Sequence, residues 1–285
     1  MRFSAAGFLL TRGGRAMKIV ARDLTYVYAD RGAQKVALQG VNLTIEDGSF
    51  FGIVGPNGCG KTTFLHILAG IKEPTSGSVD FIGEPKGECL TALVFQNYAL
   101  LPWRLIRGNV GLGPEVKGKP KPIYKRIADY FMGRVRLQGT ERLYPYQLSG
   151  GMKQRAGIGR ALATHPEVLL LDEPFAQLDP QVRVLMRREL EKIWEQEKKT
   201  FVYVTHNLEE AVLLCDRVAV FSSSPGRILE VIDVPLARPR SFDSMADPVF
   251  ANTVKRIWES LEAEVEKALR EPVQPKKPRR LEWRW

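Results

Sequence analysis

A run of glycines near the start of the sequence has the spacing of a phosphate-binding loop. The pattern G-x-x-x-x-G-K-[ST] matches Gly55, Pro56, Asn57, Gly58, Cys59, Gly60, Lys61 and Thr62, and Thr63 follows. Glycines allow several backbone N–H groups to point into one concavity, and such a nest at a helix N-terminus binds phosphate oxygens. The Lys61 ammonium would reach the outer phosphates and the Thr62 hydroxyl would ligate magnesium. The alternative is a glycine-rich turn without a ligand.

Two acids follow a second apolar run, LLLDEP. Asp172 at the carboxyl end of a buried strand can hold magnesium, and Glu173 can polarise an attacking water as general base. Taken alone, this pattern also fits a strand end with two solvated acids. His206 and Gln96 end two further predicted strands. His206 is a candidate to contact the terminal phosphate, and Gln96 is a candidate to contact magnesium or the attacking water. Each of the two residues on its own also fits a structural role.

A second glycine-rich stretch, QLSGGMKQR at 147–155, looks like another phosphate cradle that opens a helix. Ser149, Gly150 and Gly151 form its turn. Two cradles in one chain need an explanation, because a single nucleotide requires only one.

Alternating strands and helices position these residues. Strands are expected at 18–30, 36–48, 49–55, 91–96, 167–174, 200–206 and 217–223, and the strand at 91–96 is expected to be buried. Helices are expected at 61–71, 150–166, 180–198 and 208–216, the first with Phe64, Leu65, Leu68 and Ile71 on one face. A polar region at 97–147 mixes loop and helix signals, with a solvated loop at 117–122. This alternation predicts an α/β fold whose parallel sheet is covered on both faces.

Composition excludes several classes of protein. The chain has 285 residues, 44% of them hydrophobic and 26% charged, which is ordinary for a globular protein. No run approaches the roughly 18–20 apolar residues that span a bilayer, and the N-terminal AAGFLL is too short for a signal peptide. Three cysteines suit a reducing compartment. Residues 1–18 and 270–285 contribute +4 each to the net charge of +10, so the chain between them is nearly balanced in charge. The basic surface that a nucleic-acid-binding protein needs is therefore missing.

These motifs together resemble one family, the ATP-binding subunits of ABC transporters. The resemblance covers 17 to about 270 and rests on the phosphate loop, VFQ with Gln96, LSGGMKQR, LLLDEP, Leu178-Asp179 and His206. It implies a P-loop NTPase (RecA-like) core with an antiparallel β edge and an inserted α-helical subdomain. It also implies that two subunits pair head to tail, so that Ser149, Gly150 and Gly151 contact the ATP held by the partner. Under that reading, the two cradles serve two different nucleotides.

The resemblance assigns further roles. Tyr28 falls where the family stacks an aromatic ring on adenine, although a tyrosine in the strand core is an open alternative. Asp179 lies in the loop that couples the two sites, and Gln177 departs from the small residue common before that Leu-Asp pair. Cys59 lies among backbone amides beside Lys61, so we expect the thiolate form of its side chain to be favoured. Alkylation of this thiol should inhibit the ATPase, and bound ATP should protect the thiol from alkylation.

Sequence similarity also indicates a branch of the family. The segments LLPW, 178–196, 205–228 and 233–240 resemble importers of the nitrate, sulfonate and taurine type. That group implies two permease subunits, a second copy of this chain or a paralogue, and an extracytoplasmic solute-binding protein, with the ATPase at the cytoplasmic face of the membrane. Residues 97–110 would receive the permease, unless their apolar side chains are core of the helical lobe.

The expected domain limits are an N-terminal extension at 1–16, the ATP-binding domain at 17–246 with its helical subdomain at about 97–155, a C-terminal helix at 247–270 and a basic disordered tail at 271–285. The extension is either genuine or the product of a misplaced start codon. The tail, with two tryptophans, is read as solvated, or as contacting an anionic membrane or a partner groove.

Two other functions fit the motifs less well. A soluble ABC ATPase acting on nucleic acid or ribosomes would usually show two cassettes, a long coiled coil or a zinc hook. An inactive regulatory subunit would usually lack some of Lys61, Asp172, Glu173 and His206, all of which are present.

Overall fold

The computed structural model describes residues 17–30, 33–85 and 89–270. The predicted extension at 1–16 and the predicted tail at 271–285 lie outside the described residues. The strands are β1 Lys18–Asp30, β2 Ala33–Ile45, β3 Phe50–Val54, β4 Ser76–Ile82, β5 Cys89–Val94, β6 Pro166–Asp172, β7 Thr200–Val204, β8 Arg217–Phe221 and β9 Ile228–Asp233. The helices are α1 Lys61–Leu68, α2 Ile106–Val110, α3 Leu112–Val116, α4 Lys121–Arg134, α5 Gly150–Leu162, α6 Pro180–Glu197, α7 Leu208–Leu214 and α8 Pro248–Arg270.

Within the described residues, the larger sheet contains six strands in the order β5-β6-β7-β3-β8-β9. The pairs from β5 to β8 are parallel, and β9 runs antiparallel to β8. Successive side chains alternate between the two faces, so Phe50 and Leu169 join one core cluster while Phe51 and Leu170 join another. The predicted parallel sheet with both faces covered is confirmed.

A smaller antiparallel sheet, ordered β2-β1-β4, forms the predicted β edge. Its Ile19 and Leu43 belong to the same core cluster as Phe64 of α1, so this sheet and α1 share one core. Strand β4, SGSVDFI, was not expected, although its Val79 and Phe81 alternate with Ser78 and Asp80. A Cβ added at Gly77 would lie 2.4 Å from the carbonyl oxygen of Asp23, so only glycine allows this close pairing of β4 with β1.

Helices α2, α4 and α5 pack together around Val110, Ala128, Phe131 and Ile158. This helical region follows β5 and returns to the sheet at β6. The predicted loop at 117–122 is shorter than expected, because α4 begins at Lys121 with proline in its first turn. No helix within the described ranges is both long and apolar enough to cross a membrane.

Two local expectations are wrong. The helix expected at 61–71 ends at Leu68, so Ile71 does not share the face of Phe64 and is 54% exposed. The left-handed Gly70 turns the chain away in a Schellman pattern, in which Gly70 N–H donates to the Ile67 carbonyl oxygen and Ile71 N–H to that of His66. Strand β5 was expected to be buried, yet only Val94 of it is, because β5 lies at the edge of the sheet and has one neighbouring strand.

Candidate active site

The phosphate loop joins the end of β3 to the start of α1. Gly58 and Gly60 take positive φ angles of 77° and 106°. A Cβ added at Gly60 would lie 2.7 Å from the Ala37 carbonyl oxygen, so a side chain does not fit there. The glycines therefore shape a concave backbone turn that leads directly into a helix N-terminus, the arrangement that binds phosphate oxygens.

Lys61 lies inside this turn. Its side chain is only 6% exposed, and its ammonium donates hydrogen bonds to the carbonyl oxygens of Gly55 (2.7 Å) and Pro56 (2.9 Å). A buried ammonium whose nearest partners are neutral carbonyls favours the approach of an anion. The loop therefore combines backbone donors with a positive charge, as binding of a polyphosphate requires.

Thr62 and Asp172 meet at the mouth of the loop. The Thr62 hydroxyl lies 3.2 Å from Asp172 Oδ1, to which it donates a hydrogen bond. Burial raises the pKa of the Asp172 carboxyl above its ordinary value, and the negative charge of Glu173 raises that pKa further. A cation at this point would relieve both effects, and hydroxyl and carboxylate oxygens are the ligands that magnesium prefers.

The same corner holds few protein ligands. Among residues 17–30, 33–85 and 89–270, no cluster of three or more His, Cys, Asp or Glu side chains could hold a metal ion. Magnesium usually keeps several waters and binds through one or two protein groups together with substrate phosphates. The residues present therefore fit magnesium that arrives with a nucleotide better than a resident metal.

Glu173 is held by two neighbours. Its Oε2 accepts a hydrogen bond from Gln96 Nε2 at 3.2 Å and lies 3.3 Å from His206 Nδ1. The backbone of Glu173 has a positive φ of 47°, which costs about 1–3 kcal/mol for a residue other than glycine and is typical of functional positions. Gln96, Glu173 and His206, predicted separately from three strand ends, are brought together.

Tyr28 lies at the edge of β1 beside α1. Its hydroxyl forms a 2.9 Å hydrogen bond with Thr63 Oγ1, and its ring is 39% exposed and meets Tyr26 edge-on at 4.9 Å. The Lys72 ammonium lies 4.8 Å from the centre of the Tyr28 ring. The alternative of a tyrosine buried in the strand core is therefore wrong, and the ring is accessible next to the phosphate loop.

The second cradle begins α5. The Ser149 hydroxyl caps the helix by accepting a hydrogen bond from Met152 N–H at 3.3 Å. A Cβ added at Gly150 would lie 3.0 Å from the Tyr98 hydroxyl, and one added at Gly151 would lie 3.1 Å from Leu178 Cδ2. The two glycines thus permit close packing inside this chain, in addition to leaving backbone donors free of side chains.

Comparison with known proteins settles the family. The family model described as ABC transporter matches residues 38–176, which include the phosphate loop, the second cradle and both acids. The ABC transporter ATP-binding protein MJ0412 of Methanocaldococcus jannaschii is 46% identical over 256 residues, which are 89% of this chain and 95% of that protein. This chain belongs to the ABC transporter ATP-binding family.

Two further similar proteins support the assignment of this chain to the ABC family. The taurine import ATP-binding protein TauB of Escherichia coli strain K12 is 40% identical over 254 residues, 85% of this chain and 98% of TauB. A solved dimeric, post-hydrolysis structure of the ATP-binding cassette MJ0796, bound to ADP and Pi, matches with a TM-score of 0.68 and 29% identity, covering 76% of this chain and 98% of that one. The P-loop NTPase fold is confirmed, and the chain is an ATPase of the ABC class.

One expectation about the cassette is wrong. Cys59 was expected to favour its thiolate, yet burial raises the pKa of the Cys59 thiol above its ordinary value. The thiol is only 1% exposed, and the Lys61 ammonium, 3.8 Å from Sγ, offsets only part of that effect. The protonated thiol is therefore the favoured form.

Three residues near the cassette's site were not predicted from the sequence. They are Lys72, which lies over Tyr28, Tyr98, which packs against Gly150, and Arg160, which donates hydrogen bonds to the carbonyl oxygens of Tyr98 and Ala99. None belongs to a spaced motif. Packing of segments distant in the chain brings them to the site, so a residue pattern along the chain carries no signal for them.

Proposed function

We propose that this cassette is the ATP-hydrolysing subunit of a membrane importer for a small solute. The observation that carries the chemistry is the position of Glu173 Oε2 between Gln96 and His206, one residue beyond the Thr62–Asp172 pair. A carboxylate fixed in this way beside a phosphate loop is placed to accept a proton from water as it attacks the terminal phosphate.

The remaining residues bind and orient the nucleotide. Tyr28 stacks on adenine, and the backbone of 55–63 with Lys61 holds the phosphates. His206 contacts the terminal phosphate while it also orients Glu173. When magnesium is bound with the nucleotide, it neutralises charge on the phosphates, and Thr62, Gln96 and Asp172 are the residues that would hold it.

Two cassettes would pair head to tail, and each would present Ser149, Gly150 and Gly151 to the nucleotide of the other. The capped N-terminus of α5 supports this role, because a helix N-terminus with accessible N–H groups favours an anion. The solved MJ0796 cassette is a dimer, which also supports pairing. The second cassette would be an identical copy or a paralogue.

The permease would bind at 97–110. Trp103 is 72% exposed there, and Leu100, Leu101 and Leu105 lie beside it with intermediate or exposed surfaces. An exposed apolar group on a loop is typical of a protein contact. The similarity to TauB supports an importer of the nitrate, sulfonate or taurine type, with an extracytoplasmic solute-binding protein as a further partner and a place at the cytoplasmic face of the membrane.

A pull-down tests the importer assignment. Tagged protein would be recovered from detergent-solubilised membranes, and co-eluting proteins identified by mass spectrometry. We expect a stoichiometric membrane protein that is lost with Trp103→Ala and retained with Trp258→Ala, which removes another exposed tryptophan, on α8. Recovery of ribosomes or nucleic acid without a membrane protein would refute the importer assignment and leave the ATPase chemistry standing.

A further inference from the structure

Tyr98 lies where three functional segments of the chain meet. Its hydroxyl donates a hydrogen bond to the side-chain oxygen of Gln177. A Cβ added at Gly150 would lie 3.0 Å from that hydroxyl and 3.8 Å from Gln177 Oε1. The segment after Gln96, the loop after Glu173 and the start of α5 are thus in direct contact.

The Tyr98 segment is fixed to α5. Arg160 donates from Nη1 to the Ala99 carbonyl oxygen at 2.6 Å and from Nη2 to the Tyr98 carbonyl oxygen at 3.1 Å. Ala99 has a positive φ of 48°, so the chain turns sharply at this point. A displacement of α5 therefore carries the backbone of Tyr98 with it.

Gln177 belongs to the loop that carries Glu173. Ala176 N–H donates to the Glu173 carbonyl oxygen at 3.2 Å, and Leu178 N–H donates to the Phe175 carbonyl oxygen at 3.1 Å, so the loop is a compact turn. Two side-chain hydrogen bonds run in parallel between the two segments, one from Gln96 to Glu173 and one from Tyr98 to Gln177.

We propose that the Tyr98–Gln177 hydrogen bond is a positioning link that ties the second cradle of each cassette to that cassette's own catalytic loop, and so strengthens the cooperation between the two ATP sites of a pair. The proposal rests on the proposed pairing of two cassettes. Without the acceptor of Gln177, the Gln96–Glu173 bond would remain as the side-chain hydrogen bond between these two segments among the described residues. With it, Gly150 and Glu173 move as parts of one connected unit.

The consequence concerns assembly rather than the binding of a first nucleotide. Tyr98 and Gln177 lie outside the phosphate loop, so ATP binding to one cassette does not depend on them. Pairing depends on the angle at which Ser149–Gly151 faces the other cassette. A link that restricts that angle before pairing lowers the entropic cost of ordering the interface when the two cassettes bind each other.

The test compares Tyr98→Phe, Gln177→Leu and the double variant in the full chain. Dimer formation with ATP is measured by sedimentation in the Glu173→Gln background, and the Hill coefficient and the KM and kcat of hydrolysis are measured with Glu173 intact. Tyr130→Phe is the matched control, because it removes another tyrosine hydroxyl, which accepts a hydrogen bond from Arg134 in the helical region. Thermal melting confirms that each variant is folded.

We expect each single variant to weaken ATP-dependent pairing by about 2- to 10-fold, the effect of one hydrogen bond. The double variant should be no weaker than the weaker single one, because both changes remove the same bond. The Hill coefficient should fall toward 1 with the affinity of the monomer for ATP unchanged, and Tyr130→Phe should behave as wild type.

Unchanged pairing and cooperativity in both single variants, or strictly additive losses in the double variant, would overturn the link alone. A Glu173→Gln chain that binds ATP yet does not pair, together with a wild-type chain that hydrolyses ATP without cooperativity, would overturn the proposed pairing and the link with it. The two failures are distinguishable, because the second appears before Tyr98 or Gln177 is changed.

Discussion

Glu173 Oε2 lies 3.3 Å from His206 Nδ1, just beyond the carboxyl ends of the adjacent strands β6 and β7. The Glu173 side chain is 15% exposed, whereas that of His206 is 59% exposed. The carboxylate is thus held in place by protein groups, while the imidazole still faces outward. His206 can therefore orient the carboxylate and contact a ligand at the same time.

Replacing Glu173 with glutamine should separate binding from catalysis. The amide keeps the size of the side chain but accepts protons poorly, so we expect the hydrolysis rate to fall about 10²- to 10⁴-fold while ATP binding persists. The ATP-bound pair should accumulate, because hydrolysis no longer separates it. Phosphate release and size-exclusion chromatography with light scattering measure the two effects.

Glu259→Gln serves as the control for this variant, because Glu259 is an exposed glutamate on α8 that pairs with Lys255. It should hydrolyse ATP at the wild-type rate. Normal turnover by Glu173→Gln, or a protein that stays monomeric with ATP, would contradict the assignment of Glu173 as the general base.

Asp172 should show a conflict between stability and function. Its pKa is raised by burial, so the folded state binds a proton more tightly than the unfolded state, and stability falls as pH rises from the unfolded pKa through the raised folded pKa. Asp172→Asn removes the buried charge and keeps an acceptor for Thr62. We expect its melting temperature without nucleotide at pH 7 to rise by about 1–4 °C, and its magnesium-dependent hydrolysis to be lost.

Asp80→Asn is the matched control, since Asp80 forms an exposed ion pair with Arg22. Its stability should change by less than about 0.5 kcal/mol, with activity intact. If the melting temperature of Asp172→Asn falls at neutral pH, burial of this carboxylate is not destabilising and the argument fails.

The fold was predictable where the spacing of apolar side chains along the sequence is clear. Continuous apolar runs at β3, β6 and β7 allow few structures other than buried strands, and all three were located to within two residues at each end. Strand β4 was missed because its apolar alternation is short, covering only Val79 and Phe81 after a Ser-Gly-Ser start, and because its place depends on pairing with β1. The end of α1 was misplaced because Gly70 acts through a backbone angle, which apolar spacing does not reveal.

The contents of the site were predictable from motifs, but their contacts were not. A strand-end position indicates which edge of the sheet Gln96, Asp172 and His206 occupy, and they do lie near one another around Glu173. The pKa of Cys59 depends instead on how tightly the loop packs, since Sγ lies where a Cβ on Gly55 would be only 3.0 Å away. Such burial follows from three-dimensional packing, and the residue types alone suggested the opposite direction.

Tyr28 should contribute to nucleotide affinity through its ring rather than its hydroxyl. Stacking of a base on an aromatic ring contributes roughly 1–3 kcal/mol, so Tyr28→Ala should weaken ATP binding about 5- to 150-fold. Tyr28→Phe keeps the ring and loses only the bond to Thr63, so its affinity should fall less than about 10-fold. Calorimetry measures both affinities. Equal losses in the two variants would show that the hydroxyl, and not the ring, is the important group.

The cysteines should react in an order set by burial. Cys59 and Cys215 are buried and the pKa of each thiol is raised by that burial, whereas Cys89 is partly exposed. Because the thiolate is the reactive form and access is needed, iodoacetamide at pH 8 should label Cys89 at least roughly tenfold faster than the other two. Peptide mass spectrometry gives the three rates, and labelling in denaturant, where all three should react alike, is the control. If Cys59 reacts as fast as Cys89 in the folded protein and ATP slows it, the loop opens far enough to expose the thiol, and the inhibition expected from the sequence would follow.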